Sequence, residues 1–171
     1  MQIRFDEISP QGSRYEITGG EVLADQQDFV VRAPLVAQCA LCRKGDAKVA
    51  LTGRLQVPLS LVCDRCLGQY DVDLESEFQV LFEVESAESW RVKDLDARIA
   101  DLDSEMLDEP VIDLDDVVRQ QVYLALPMKN LCSEACKGVC SQCGTNLNVA
   151  ACDCVEERKA LPFAALARLK K

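Results

Sequence analysis

Residues 49–84 read VALTGRLQVPLSLVCDRCLGQYDVDLESEFQVLFEV, and the alternation within them decides the fold. Before the cysteines, Val49, Leu51, Gly53, Leu55, Val57, Leu59 and Leu61 share one parity, while Thr52, Arg54, Gln56 and Ser60 share the other. Successive side chains of a strand point to opposite faces, so this pattern is a half-buried strand. After Cys63 to Gln69 the phase resumes. Tyr70, Val72, Leu74, Phe78, Val80, Phe82 and Val84 fall on one face and Asp71, Asp73, Glu75 and Glu77 on the other. Two antiparallel strands therefore flank a Cys-x2-Cys turn, in a sheet with one apolar and one wet face.

Upstream, Phe29 to Leu41 is another apolar-rich strand, and Lys44-Gly45-Asp46-Ala47 is a turn signal that folds it back onto the Val49 strand. With Gly45-Asp46 as the tip, Cys39 falls opposite Thr52. Gln2 to Ile8 and Arg14 to Ile17 are weaker strand candidates. Downstream, residues 85–110 lose the pattern and turn acidic. They are expected to form a mobile surface segment, with a short helix over Leu95 to Met106 as the alternative. Asp113 then reads as a helix N-cap, and Leu114, Val117, Val118, Val122, Ala125 and Leu126 recur at helical spacing until Pro127. The expected fold is α+β. A twisted antiparallel sheet covered by one main helix spans 1–131, a small Cys-rich module spans 132–156, and a basic, apolar tail helix spans 157–171.

Ten cysteines and no histidine confine any transition-metal site to thiolates and remove the commonest general base. The N-terminus carries Arg4, Asp6 and Glu7 where a secretory signal needs an apolar run, so a reducing cytoplasm is expected. In that setting Cys-x2-Cys spacings read as metal or redox sites, not disulfides. Net charge is -10, and residues 83–116 alone hold thirteen acids against three bases. Such a chain is not expected to coat nucleic acid by counterion release. From Val117 to Lys171 the balance reverses, with eight bases and four acids.

The simplest pairing joins Cys39 and Cys42 to Cys63 and Cys66 as a zinc ribbon. Strand geometry argues against it, because a long strand separates the two pairs and Cys39 and Cys42 have opposite parity. Cys39 reads as a small buried hydrophobe and Cys42 as a residue near the turn. Cys132 and Cys136 follow the helix, which can carry them to the Cys63/Cys66 turn. One expected site is thus Cys63, Cys66, Cys132 and Cys136. The other is Cys140, Cys143, Cys152 and Cys154, although Cys132 or Cys136 could serve the second site instead. Saturated four-thiolate sites are structural, and two Zn2+ ions are expected. A rubredoxin-like iron centre is the rival, weakened because Cys152-x-Cys154 breaks its paired spacing. A zinc-ribbon nucleic-acid reader is the other alternative.

Taken together, the order of motifs resembles the YceD family of bacterial and chloroplast large ribosomal RNA subunit accumulation proteins. The residues that carry the likeness are VCDRCL (62–67), an acidic spacer, IDL (112–114), LALP (124–127), Cys132, CKG (136–138), Cys140-x2-Cys143-Gly144, NLN (146–148), Cys152-x-Cys154 and PFAALARLK (162–170). The likeness runs from about Val57 to the end, and Cys39 and Cys42 lie outside the pattern. It implies a non-enzymatic cytoplasmic factor needed for synthesis, processing or stability of 23S rRNA. Expected partners are the pre-50S particle, 23S rRNA or a basic ribosomal protein, with no membrane and no small-molecule substrate. Candidate partner-binding residues are Arg65, Lys129, Lys137, Phe163, Leu166, Arg168, Lys170 and Lys171.

Overall fold

The structure, a computed structural model, describes residues 1–19, 21–24, 28–84 and 104–154. Its centre is a hairpin of two long strands, β5 (Lys48–Val62) and β6 (Gln69–Val84). They are paired without a bulge from Lys48↔Glu83 to Val62↔Gln69. On the other side of β5 lie β4 (Leu35–Arg43), then β2 (Ser13–Gly19), all antiparallel. The odd-numbered face of β5 is buried at Val49, Leu51, Leu55, Val57, Leu59 and Leu61, as the alternation predicts. Burying a side chain of that size is worth about 1.5–3 kcal/mol, so this row is the backbone of the core.

Two details let so long a strand sit inside a sheet. Gly53 interrupts the row of large residues, and the Phe78 ring opposite takes the space: a Cβ on Gly53 would lie 2.3 Å from Phe78 Cζ. Pro58 lacks a backbone N–H and is ordinarily excluded from central strands. It falls where β4 has ended and the short β3 (Val30–Val31) takes over the edge, and its carbonyl accepts the Arg32 N–H at 2.9 Å.

The helix α1 (Leu114–Ala125) starts where expected: Asp113 accepts the N–H groups of Asp115 (3.1 Å) and Asp116 (3.4 Å). Leu114, Val117, Val118 and Val122 are buried, on the face that packs against β6. Directly before the helix, β8 (Val111–Asp113) pairs with β1 (Gln2–Arg4) through Ile3↔Ile112, both buried. The α+β expectation holds: the protein is mostly sheet, with one main helix and cysteine clusters toward the C-terminus.

Four expectations need correction. The Phe29 to Leu41 strand is two, β3 and β4, broken at residues 32–34, where Pro34 has no N–H for a ladder, and the two pair with β5 in different registers. The β4–β5 turn is one residue longer than a Gly45-Asp46 tip, with Lys44 N–H donating to the Lys48 carbonyl at 2.8 Å. Cys39 therefore faces Gly53, not Thr52. A one-residue slip moves a side chain to the other face, and this register puts Cys39 in the core, where burial pushes its thiol up to about 11. Gln2 to Ile8 is strand only to Arg4, followed by a 3-10 turn over Phe5–Glu7. The segment 85–110 is not wholly patternless, nor helical at its end: Ser104–Leu107 forms β7, parallel to the last residues of β6. The rest of the proposed helix, residues 95–103, and the tail 157–171 lie outside the described residues.

Candidate metal centres

At the far end of the hairpin, β5 hands over to β6 through a knuckle. Cys63 N–H donates to the Gly68 carbonyl (2.9 Å) and Leu67 N–H to the Cys63 carbonyl (2.9 Å), folding Cys63 and Cys66 onto one side. A second knuckle has the same wiring, from Cys140 N–H to the Thr145 carbonyl (2.8 Å) and from Gly144 N–H to the Cys140 carbonyl (2.9 Å). Both need a left-handed residue directly after the second cysteine. Gly144 supplies it at φ 73°, whereas the first knuckle uses Leu67 at φ 57°.

The chain after α1 returns to the first knuckle. Asp64 N–H donates to the Asn130 carbonyl (2.7 Å), and Asn130 N–H donates back to Asp64 Oδ2 (2.7 Å). Arg65 Nη1 donates to the carbonyls of Glu134 and Cys136, each at 3.2 Å. This places Cys132 and Cys136 over Cys63 and Cys66, with Cys63 Sγ 3.9 Å from Cys136 Sγ and Cys66 Sγ 3.7 Å from Cys132 Sγ. All four sulfurs lie within 4.8 Å of one another. A tetrahedron of sulfurs about 2.3 Å from a central ion has edges of about 3.8 Å. The two distances match that edge, so the donor set fits a tetrahedral dication.

The second group, Cys140, Cys143, Cys152 and Cys154, also has its sulfurs within 4.8 Å of one another. The two clusters are those expected from the sequence, and each could hold a metal ion. Cys39 and Cys42 join neither. At about 3.3 Å per residue, the stretch from Gly53, opposite Cys39, to Cys63 is about 33 Å of strand.

The thiol chemistry points the same way. Backbone N–H groups of Cys132 and Cys66 hold the Cys63 thiol down to about 6, while hydrogen bonding to the Cys136 sulfur pushes Cys132 up to about 12. In the second cluster the Thr145 hydroxyl, 3.1 Å from Cys143 Sγ, holds that thiol down to about 6, and the Cys143 sulfur pushes Cys154 up to about 12. Four like charges this close cannot all form unaided. A divalent cation among them removes that obstacle, and thiolate coordination is then favoured outright.

The clusters are linked. Gly138 (φ 77°) is buried against the first knuckle, where a Cβ would stand 3.1 Å from the Arg65 carbonyl oxygen; that carbonyl accepts the Val139 N–H at 3.1 Å. Asn148 Nδ2 donates to Cys136 Sγ at 3.3 Å, and its Oδ1 accepts the Lys137 N–H at 2.8 Å. Burial raises the Cys136 thiol, but the Asn148 amide and the Gly138 N–H outweigh it and keep the thiol below its usual value. Of the candidate partner-binding residues, Lys129 and Lys137 are exposed, and Arg65 spends its guanidinium on the 134–136 loop. Phe163, Leu166, Arg168, Lys170 and Lys171 lie outside the described residues. The supporting roles of Asp64, Asn130, Thr145 and Asn148 were not read from the sequence. Asn148 carried a signal only as part of NLN.

A β-sheet protein whose long hairpin ends in a cysteine cluster, followed by a second cluster, is the class that fold and site define. The chain belongs to the YceD family, because residues 51–170 match the family described as Large ribosomal RNA subunit accumulation protein YceD. It is similar to Large ribosomal RNA subunit accumulation protein YCED homolog 1, chloroplastic, of Arabidopsis thaliana, at 28% identity over 178 residues. That match covers 92% of this chain and 55% of the relative, so the chain spans about half the relative's length. No solved structure matches. Among the described residues, no helix is long and apolar enough to cross a membrane.

Proposed function

We infer that the chain is a non-enzymatic factor of ribosome production, required for accumulation of the large-subunit rRNA and acting on the precursor of the large subunit in the cytoplasm. Family membership carries this reading, together with the name of the chloroplast relative. The clusters support a structural role for the metal. Each offers four sulfurs to one ion, which fills a tetrahedral shell and leaves no position for a substrate or an activated water. Zinc suits four thiolates in that geometry, and in small modules its binding energy is folding energy.

The test is made in cells depleted of the native protein and supplied with wild type, Cys66→Ser or Cys143→Ser. Wild type restores 23S rRNA and the large-subunit peak on a sucrose gradient, and Cys66→Ser does not. Unchanged 23S rRNA and large-subunit levels after depletion would contradict the reading. Iron instead of zinc in the purified protein would move it toward electron transfer.

A further inference from the structure

The strand β6 is sixteen residues long, and β5 covers one of its edges throughout. On the other edge β7 pairs only with Leu81 to Val84. Among the described residues, no strand pairs with the outer edge from Gln69 to Val80. Which backbone groups face that edge follows from the register. Val84 N–H donates to the Ala47 carbonyl at 2.9 Å, and the β5–β6 ladder runs without a bulge. Even-numbered residues of β6 therefore turn their N–H and C=O toward β5, and odd-numbered residues turn theirs outward.

The outward-facing set is Gln69, Asp71, Asp73, Glu75, Glu77 and Gln79, all exposed. Side-chain and hydrogen-bond alternation share a period of two, so the residues that offer free backbone groups carry the acids. Arg32 reaches Asp71 (3.4 Å), and Arg54 reaches Glu75 (3.9 Å) and Glu77 (3.8 Å). Asp73 lies opposite Pro58, which brings no charge. Two guanidiniums against four carboxylates leave the row net negative. On the opposite face, half-buried Val72, Phe78 and Val80 continue the apolar side of the sheet.

We propose that the outer edge of β6, from Gln69 to Gln79, is a strand-addition site for an extended basic segment of a partner protein, with Lys or Arg at alternate positions and apolar residues between. Backbone pairing supplies affinity and the alternating side chains supply specificity, as in other cases of strand addition. Charge selects this occupant. A second copy of the same edge would set carboxylates against carboxylates, and a polyanion would meet the same repulsion. The site stands on geometry alone; its use in ribosome assembly rests on the function proposed above.

The experiment titrates the metal-loaded full chain with a labelled eleven-residue peptide alternating Lys with Val or Thr. Binding is read by anisotropy, and hydrogen exchange is followed at the amides of Asp71, Asp73, Glu75 and Glu77. The expected result is binding that slows exchange at those amides. It weakens at least tenfold when alternate peptide nitrogens are methylated, and at least tenfold in an Asp73→Lys/Glu75→Lys variant whose melting is unchanged. Equal binding by the methylated or a charge-blocked peptide would reduce the site to unspecific attraction and overturn the proposal. Slow exchange at the four amides in the free protein would also overturn it, since the chain would then cover its own edge. Peptide binding without any effect of the double variant on 23S rRNA in cells would leave the site standing and sever it from the assembly reading.

Discussion

The two cysteine clusters are built from the same knuckle and held in different ways. In the first, Cys63, Cys66 and Cys136 are buried, and two of its cysteines stand at the junction of the longest strands. The other two come from 66 or more residues later in the chain. In the second, all four cysteines fall within fifteen positions, and Cys143 and Cys154 are exposed. The first cluster joins the C-terminal segment to the sheet. The second folds a short loop with little core of its own, resting on the first through Gly138, Val139 and Asn148. The second cluster should therefore depend on the first for its placement, while the first draws from the second loop only the Asn148 contact to Cys136.

The largest expected effect breaks that asymmetry if it fails. Cys66→Ser should release residues 130–154 from the sheet, seen as fast hydrogen exchange across both knuckles. Cys143→Ser should speed exchange only after Cys140. Losing a structural zinc of the zinc-finger type removes about 10–16 kcal/mol of binding energy, so the first variant should also lower the global melting temperature markedly. Fast exchange confined to the mutated cluster in each variant would mean that the clusters are independent, and fast exchange across both knuckles in each would mean that they depend on one another equally.

Asn148→Ala sharpens the link. Outer-shell partners of metal ligands are worth about 10–100-fold in affinity. Although Asn148 belongs to the second loop, its loss should weaken metal binding at the first cluster by that factor, measured by competition with a chromophoric chelator.

A change remote from both clusters isolates the contrast. Asp113→Ala removes the helix cap and should cost about 1 kcal/mol without changing the metal count. Burial raises the Asp113 carboxyl, but the Asp116 and Asp115 N–H groups, together with the chain's amino group, hold it below its usual value. Its contribution is therefore full at neutral pH and is lost as pH falls through the depressed value. Wild type and Asp113→Ala should converge in stability in acid.

The smallest effect exchanges the knuckles' left-handed residues. Leu67 is 68% exposed and its backbone is strained. Leu67→Gly should stabilise the protein by up to about 1 kcal/mol, less the entropy glycine adds to the unfolded chain. Gly144→Leu should destabilise by about as much, both by chemical denaturation.

Much of this comparison was legible in the sequence, because period-two alternation is a local signal and strand length fixes distance. Those two facts separated Cys39 and Cys42 from Cys63 and Cys66, and the helix that ends at Pro127 sent Cys132 and Cys136 to the hairpin end. What escaped depends on contacts without a local signature. The β4–β5 register turned on one residue of loop, the pairing of Ile3 with Ile112 spans most of the chain, and β7 is four residues long. The use of Arg65 to hold carbonyls of the 134–136 loop, and of Asn148 to reach Cys136 Sγ, arises only once the knuckles are stacked.

The central claim is tested most directly by native mass spectrometry of the purified chain and its two serine variants, counting bound metal. Two zinc ions in wild type, one in Cys143→Ser and none in Cys66→Ser is the predicted result. A wild-type chain with one ion or none, or a Cys143→Ser variant that loses both, would contradict it.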